Sequence, residues 1–497
     1  METLQLLLGG FATVLQPENL LFTILGCFLG TLIGVLPGIG PSAGTAMLIP
    51  VAAVLSPTQA IIMLAGIYYG TMYGGTITSV LVNVPGEASS AITCIDGHAM
   101  AKKGRAGPAL AIAAIGSFIG GTVATFGLVL VAVPLAQYAL KFGPPEFFCL
   151  MVVGLSLVTG LAGKSLVRAL LSAVIGLLIA MVGIDPVMGA PRFTFDRVEL
   201  LDGLGIVPVL MGLFGIGEIL LNAEKRAAPV IKTSLRSLLP SASEARQSIG
   251  PIARGTGIGF FLGLIPGVGA VVPTFISYSL ERKVSKNPET FGHGAIAGVA
   301  GPETANNAYA NAALVPLFAV GIPGSPTIAI LMSAFMIHGV IPGPFLFQEH
   351  ATIVWAVVAS LYVGSLVLLI LNLPMIPLWV AILKIPYSIL FALILAFCVV
   401  GAYSLNSSTF DIGVMLAFGI IGYCFRKLDI PLAPLSLTLI LGPLMERGLR
   451  QSLEMSQGDF MIFFYRPISA TLLAIAAIFV VVACLNISKS VKEETEV

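Results

Sequence analysis

The chain has 497 residues, of which 57% are hydrophobic and only 10% charged, and its mean hydropathy is +1.01. A soluble protein of this length would need far more polar surface, so the composition describes an integral membrane protein lying in a lipid bilayer. The net charge of +1, with no basic patch beyond what loop orientation explains, argues against a nucleic-acid partner.

At the N-terminus, the apolar stretch 3–16 is too short to cross a bilayer and is expected at its surface. It carries no Lys or Arg before its first apolar run and no small-residue cleavage site, so no removable signal peptide is expected. The first notable motif follows at 30–40, GTLIGVLPGIG. It recurs at 259–269 as GFFLGLIPGVG, with Gly30, Gly34, Pro37, Gly38 and Gly40 in register with Gly259, Gly263, Pro266, Gly267 and Gly269. Each copy runs apolar residues into Pro-Gly-x-Gly and out again, which breaks a membrane helix in mid-span. Broken helices at matching places in two halves are the best sequence pointer to a transporter's binding site.

A second pair of breaks follows in the same order. The segment at 73–91, YGGTITSVLVNVPGEASSA, reaches Pro85-Gly86; its counterpart at 306–329 reaches Pro323-Gly324. Both halves then reach a Gly-Pro step, Gly107-Pro108 and Gly343-Pro344. Between these lie apolar stretches at 109–133, 147–163, 166–183, 353–373 and 471–485 that meet or approach the span of a membrane helix, and roughly a dozen segments are expected in all. The expected fold is an all-α integral membrane protein with two inverted-topology repeats and Pro-Gly broken helices or re-entrant hairpins. Residues 1–221 form the first repeat, 222–254 a cytoplasmic basic linker, 255–464 the second repeat, and 465–497 a final transmembrane helix with a cytoplasmic tail.

Loop charge carries the inversion. Cytoplasmic loops collect Lys and Arg. Lys102, Lys103 and Arg105 precede the Gly-Pro step in the first half, where the second half has only His338. The loop at 50–57 after the first motif is uncharged, whereas Arg282, Lys283 and Lys286 follow the second copy. Equivalent loops therefore face opposite sides. Arg192, Arg197, Arg447 and Arg450 fall outside on this count, with Asp196, Glu199, Asp202 and Glu446 near them.

The breaks also carry chemistry. A helix start offers free N–H groups and partial positive charge, and binds carboxylates without a cationic side chain. Hydroxyls follow the breaks at Ser42, Thr45, Ser89, Ser90, Thr274, Ser277, Ser325 and Thr327, and Asn83 precedes one; no Arg or Lys occurs in any of the four. This set, with the Pro-Gly residues themselves, forms the candidate anion site. Glu303 and Glu87, with Asn306, Asn307 and Asn311, are the candidate ion-coupling residues, because an ionisable group at membrane depth is costly. The competing roles are helix packing through Gly30-xxx-Gly34 and Gly259-xxx-Gly263, and helix capping by the two glutamates. Asp96, His98, His293 and His338 read as structural. GLAGKS at 160–165 is not a phosphate loop, since Val158 stands where its first glycine belongs. The six scattered cysteines include no CxxC pair, so no metal site beyond a possible Na⁺, no cofactor and no disulfide framework are expected.

These strings resemble one family over nearly the whole chain. They are the Pro-Gly-x-Gly copies at 34–41 and 263–270, the segment 73–107, GPETANNAYANAALVPLFAVGIPGSPTIAILMSAFMIHGVIPGP at 301–344 and GPLMERGLRQSL at 442–453. The chain is similar to the large membrane permease subunit of bacterial tripartite tricarboxylate transporters. The resemblance implies a secondary transporter of the bacterial inner membrane, coupled to Na⁺ or H⁺. It also implies two partners, a small four-helix membrane subunit and a periplasmic solute-binding protein, and a di- or tricarboxylate or aromatic acid as substrate. Glu87 departs from the small or uncharged residue expected after the Pro-Gly. An anion channel and an intramembrane enzyme are the alternatives. A channel needs a continuous lined pore, and an enzyme needs a polar catalytic set, for which only Glu303, Asn306 and Asn307 are candidates.

Overall fold

The computed structural model describes residues 2–36, 39–161, 165–185, 188–223, 238–383 and 387–495. These are nearly all helical; one two-stranded antiparallel ribbon pairs Gly183 with Arg192 and Ile184 with Pro191. Pro37 and Gly38, and the loop cations Lys164, Lys225, Arg226, Lys232, Arg236 and Lys384, lie outside the described residues. Among the described residues, five helices are long and apolar enough to cross a membrane: Pro17–Val35, Pro57–Val82, Ala106–Ala139, Ala351–Asn372 and Thr409–Lys427. Seven shorter apolar helices accompany them. The domain boundary expected at 254/255 falls inside helix Ala242–Gly263.

Glycine decides how the first half packs. Gly26, Gly30 and Gly34 recur every four residues and so share one face of helix Pro17–Val35. That face lies against Gly66, Gly70 and Gly74 of helix Pro57–Val82. A Cβ at Gly30 would stand 2.5 Å from the Ile67 carbonyl oxygen and 2.8 Å from its Cα. Only a hydrogen side chain permits this approach, as membrane helices without a hydrophobic drive to associate require. Helix Pro57–Val82 is buried throughout the span that would cross the bilayer.

The second half repeats the seam. Gly255, Gly259 and Gly263 lie along helix Ala242–Gly263 and press on Gly301, Ala305 and Tyr309 of helix Ala297–Ala312. In each half, then, the helix that leads into Pro-Gly-x-Gly zips onto the helix that follows the hairpin. After the break a helix begins again, at Gly40 in the first half and Val271 in the second. Gly40 and Gly269, equivalent in the motif, both take left-handed backbone, with φ of 67° and 72°.

Contacts between the halves join loops that are not equivalent. Lys103 Nζ donates to the His293 carbonyl at 2.6 Å, and Arg105 pairs with Glu244. Asp96, fully buried on helix Thr93–Lys102, accepts from the Tyr278 hydroxyl at 2.9 Å and from the backbone N–H groups of Gly292, Gly294 and Ala295 at 2.9, 2.7 and 2.9 Å. Elsewhere His338 Nε2 meets the Ala52 carbonyl at 3.2 Å. Thus the basic loop of each half sits with the basic loop of the other, and the uncharged loop after helix Gly40–Ala53 sits with the His338 turn. Arg192 and Arg450, two cations that break the loop-charge pattern, form one network with Asp185 and Glu446. There the Glu446 hydrogen bond outweighs burial and raises the Arg192 guanidinium above its usual range.

Candidate functional site

Residues next to all four breaks meet at one cavity of about 380 Å³. Gly40–Ala43 come from the first Pro-Gly-x-Gly, Pro85–Ser89 from the second break of that half, Gly269–Val271 from the repeated motif, and Ser325–Thr327 from the last break. Tyr68, Met72 and Tyr309, on the central helices, complete the apolar wall. The cavity edge is stitched between halves by Ser42 Oγ and Thr327 Oγ1, 2.8 Å apart, where either hydroxyl can donate. Gly267 N–H donates to the Gly324 carbonyl at 2.9 Å, which also accepts from the Tyr309 hydroxyl at 3.3 Å.

Helix starts define its polar character. Helices Gly40–Ala53 and Val271–Val284 begin at the wall without a side-chain cap among the described residues. Pro41 offers no N–H at the first of these starts, and the other first-turn N–H groups have no acceptor within their own helix. Helix Pro326–Ile337 begins with Pro at its first position, where the missing N–H costs nothing. Its cap, Ser325, accepts from Ile328 N at 3.3 Å. The four-residue turn Ala88–Ala91 is capped by Glu87.

Several candidates point elsewhere. Asn83 is exposed and ends helix Pro57–Val82 in left-handed backbone, φ 59°. Thr45 and Thr274 donate to carbonyls of their own helices, Pro41 at 2.8 Å and Val271 at 2.7 Å. Ser90 Oγ donates to the Glu87 carbonyl at 2.9 Å and lies 2.9 Å from Ser79 Oγ. Pro266 and Pro323 flank the wall rather than line it.

Glu87 does line it, and leads inward. Its Oε1 accepts from Ser89 Oγ at 2.5 Å and from Asn306 Nδ2 at 2.7 Å. Three residues before Asn306 on the same helix, Glu303 is 1% exposed. It accepts from Thr76 Oγ1 at 2.6 Å and from the Thr93 hydroxyl. No Lys or Arg pairs with either glutamate among the described residues. Asn307 Nδ2 donates to Ser117 Oγ at 2.7 Å, and Asn311 Nδ2 to the Gly121 carbonyl at 2.9 Å. The Oδ1 atoms of Asn306 and Asn307 are buried without a hydrogen-bond partner. Such orphans in a native interior call for an explanation, an ion or water included. Asn311 instead ties helix Ala297–Ala312 to Ala106–Ala139, away from the glutamates.

Sequence reasoning missed one pair of residues. Glu218 and Arg426, ion-paired with each other, also line the cavity. They sit far along the chain from every break, so nothing in the motifs signals them.

The family description "Tripartite tricarboxylate transporter TctA family" matches residues 20–437. Two proteins of Agrobacterium vitis are similar to this chain. An "Uncharacterized 52.8 kDa protein in TAR-I ttuC' 3'region" is 46% identical over 486 residues, covering 98% of this chain and 97% of the relative. An "Uncharacterized protein in TAR-II ttuC' 3'region" is 44% identical over 236 residues, covering 48% of this chain and 98% of the relative. No solved structure matches the chain.

Proposed function

The chain belongs to the tripartite tricarboxylate transporter TctA family, a multi-pass membrane transporter component and not an enzyme, and from that membership we propose that it imports a carboxylate by alternating access at the cavity described above. The observation that carries the site is the convergence on one cavity of residues next to all four breaks, with two helix starts that have no side-chain cap among the described residues in its wall. Helix starts hold anions by dipole and N–H groups, and release them more readily than a lysine would. A periplasmic binding protein delivers the substrate, and a small membrane subunit completes the assembly. The site is set in the bacterial inner membrane, with Gly40 and Gly267–Gly269 at its tips.

Charge explains why uptake is coupled. The lining includes two carboxylates, Glu87 and Glu218, against one guanidinium, Arg426. An anion entering beside an ionised Glu87 meets repulsion in a weakly screened space. A Na⁺ or a proton at Glu87–Asn306 or at Glu303 removes it, so substrate and cation strengthen each other's binding. The unpartnered Asn306 and Asn307 carbonyl oxygens suit a hard cation.

A direct test fills the cavity. Ala88 is exposed on its wall, and Ala88→Trp is expected to abolish citrate uptake and counterflow in proteoliposomes while the protein purifies and melts like the wild type. Normal counterflow by that variant would remove the cavity as the site. A saturable, trans-stimulated flux in the parent protein separates the carrier from the channel.

Inverted repeats are the second element of this reading. The cross-pairing of Lys103 with His293, and of Ala52 with His338, supports it, because it brings together loops that parallel repeats would hold apart. Cysteines placed at Lys103 and Lys283 should react only with cytoplasmic label, and those at Val54 and Phe345 only with external label. Labelling of positions 54 and 283 from the same side leaves parallel repeats.

A further inference from the structure

The motifs supply dipoles and hydroxyls for an anion, yet the cavity also holds a full positive charge. Arg426 stands in the last turn of helix Thr409–Lys427 and pairs with Glu218 of helix Gly217–Ala223. Glu218 has a side chain only 9% exposed, whereas Arg426 is 29% exposed and lines the same wall as Ser42, Glu87 and Thr327.

Beside the ion pair, helix Thr409–Lys427 meets Gly217 and the segment before it along a glycine seam. A Cβ on Gly422 would stand 2.6 Å from the Leu213 carbonyl oxygen, and one on Gly212 would strike the Met415 carbonyl. The segment preceding Glu218, Met211–Ile216, is a π-helical turn. Such turns widen a helix by one residue and recur at functional sites. A guanidinium has five N–H donors in a planar fork, and one carboxylate takes two of them at most. A second carboxylate can therefore share the group.

Resting on the cavity as substrate site, we propose that Arg426 binds a carboxylate of the substrate and that Glu218 is a positioning residue, which fixes the guanidinium at the wall. The helix starts then take the remaining carboxylates. A substrate with two or more carboxylates gains from both sets at once. A monocarboxylate can satisfy only one set, so the pair selects for di- and tricarboxylates.

The test measures binding of radiolabelled citrate and succinate to the purified full-length chain in lipid nanodiscs, alongside its thermal midpoint. Arg426→Gln should weaken citrate binding tenfold or more, and Arg426→Lys should recover part of it. The exchanged pair Glu218→Arg with Arg426→Glu should restore the midpoint but not the binding. Recovery of citrate affinity by the exchanged pair, or unchanged affinity in Arg426→Gln, would overturn the assignment, since a purely structural ion pair predicts both. If Arg426→Gln does not fold, Arg426→Lys decides, because it keeps the charge but loses the fork; full affinity there counts against the bidentate role. Ala88→Trp separates the two readings. Retained binding in that variant, or no binding of either acid by the wild type, removes the cavity assignment itself. Loss in Ala88→Trp with none in Arg426→Gln removes the arginine alone.

Discussion

Glu303→Gln should abolish accumulation driven by an imposed Na⁺ or pH gradient while sparing exchange of labelled citrate at equal concentrations. The carboxyl group is buried, takes both its hydrogen bonds from threonine hydroxyls, Thr76 and Thr93, and has no cationic side chain paired with it among the described residues. A carboxylate so placed is costly unless a cation or proton neutralises it. Gln keeps the shape and one acceptor but cannot carry the proton or the charge. Loss of gradient dependence by roughly tenfold or more is the scale expected for two linked sites. Full gradient-driven accumulation in the mutant would make Glu303 a structural helix link. Coupling would then pass to Glu87, whose Oε1 already accepts from Asn306, and Glu87→Gln in the same assay would show it.

The second large effect is on folding. Gly30→Leu and Gly259→Leu should each cost nearly all of the folded protein. At Gly259 even a Cβ would collide with the Ala305 carbonyl and lie 2.8 Å from Ala308 Cβ. Overpacking a core costs about 1–3 kcal/mol when side chains can yield; here backbone opposes backbone, so the helices themselves must part. Gly257, two residues earlier on the same helix, faces open space, with nothing within 4 Å of where a Cβ would stand, and Gly257→Leu serves as the control. Monodisperse yield and thermal midpoint in detergent are the readouts. If Gly259→Leu matches the control, the seam does not hold the helices.

Much of this was legible in the chain. The Pro-Gly-x-Gly repeat marks where helices stop, because Pro cannot continue the hydrogen-bond ladder and Gly40 and Gly269 can adopt positive φ. The rival role for Gly30 and Gly259, helix packing, holds in the structure alongside the breaks. Other features were hidden for physical reasons. A hydroxyl within a helix can bond back to a carbonyl three or four residues earlier, and Thr45 and Thr274 do so, which spacing alone does not reveal. Asn83 reads as a site residue by proximity to Pro85, but as the cap just past helix Pro57–Val82 it takes the left-handed turn that asparagine tolerates. The link from Glu87 to Asn306 spans 219 positions, and Arg426 reaches the cavity through a helix that contains no motif. Tertiary packing alone sets such distances.

The glycine seams bear on how the molecule deforms. A junction made from bare backbone has no rotamers to exchange and no soft side chain to compress. Each zipped pair, Pro17–Val35 with Pro57–Val82 and Ala242–Gly263 with Ala297–Ala312, therefore behaves as a strut. In the second half, helical hydrogen bonding stops beyond Gly263, and Gly267 instead donates to the Gly324 carbonyl. A displacement of the strut Ala242–Gly263 is therefore passed to its far end, where Gly269, Ala270 and Val271 line the cavity.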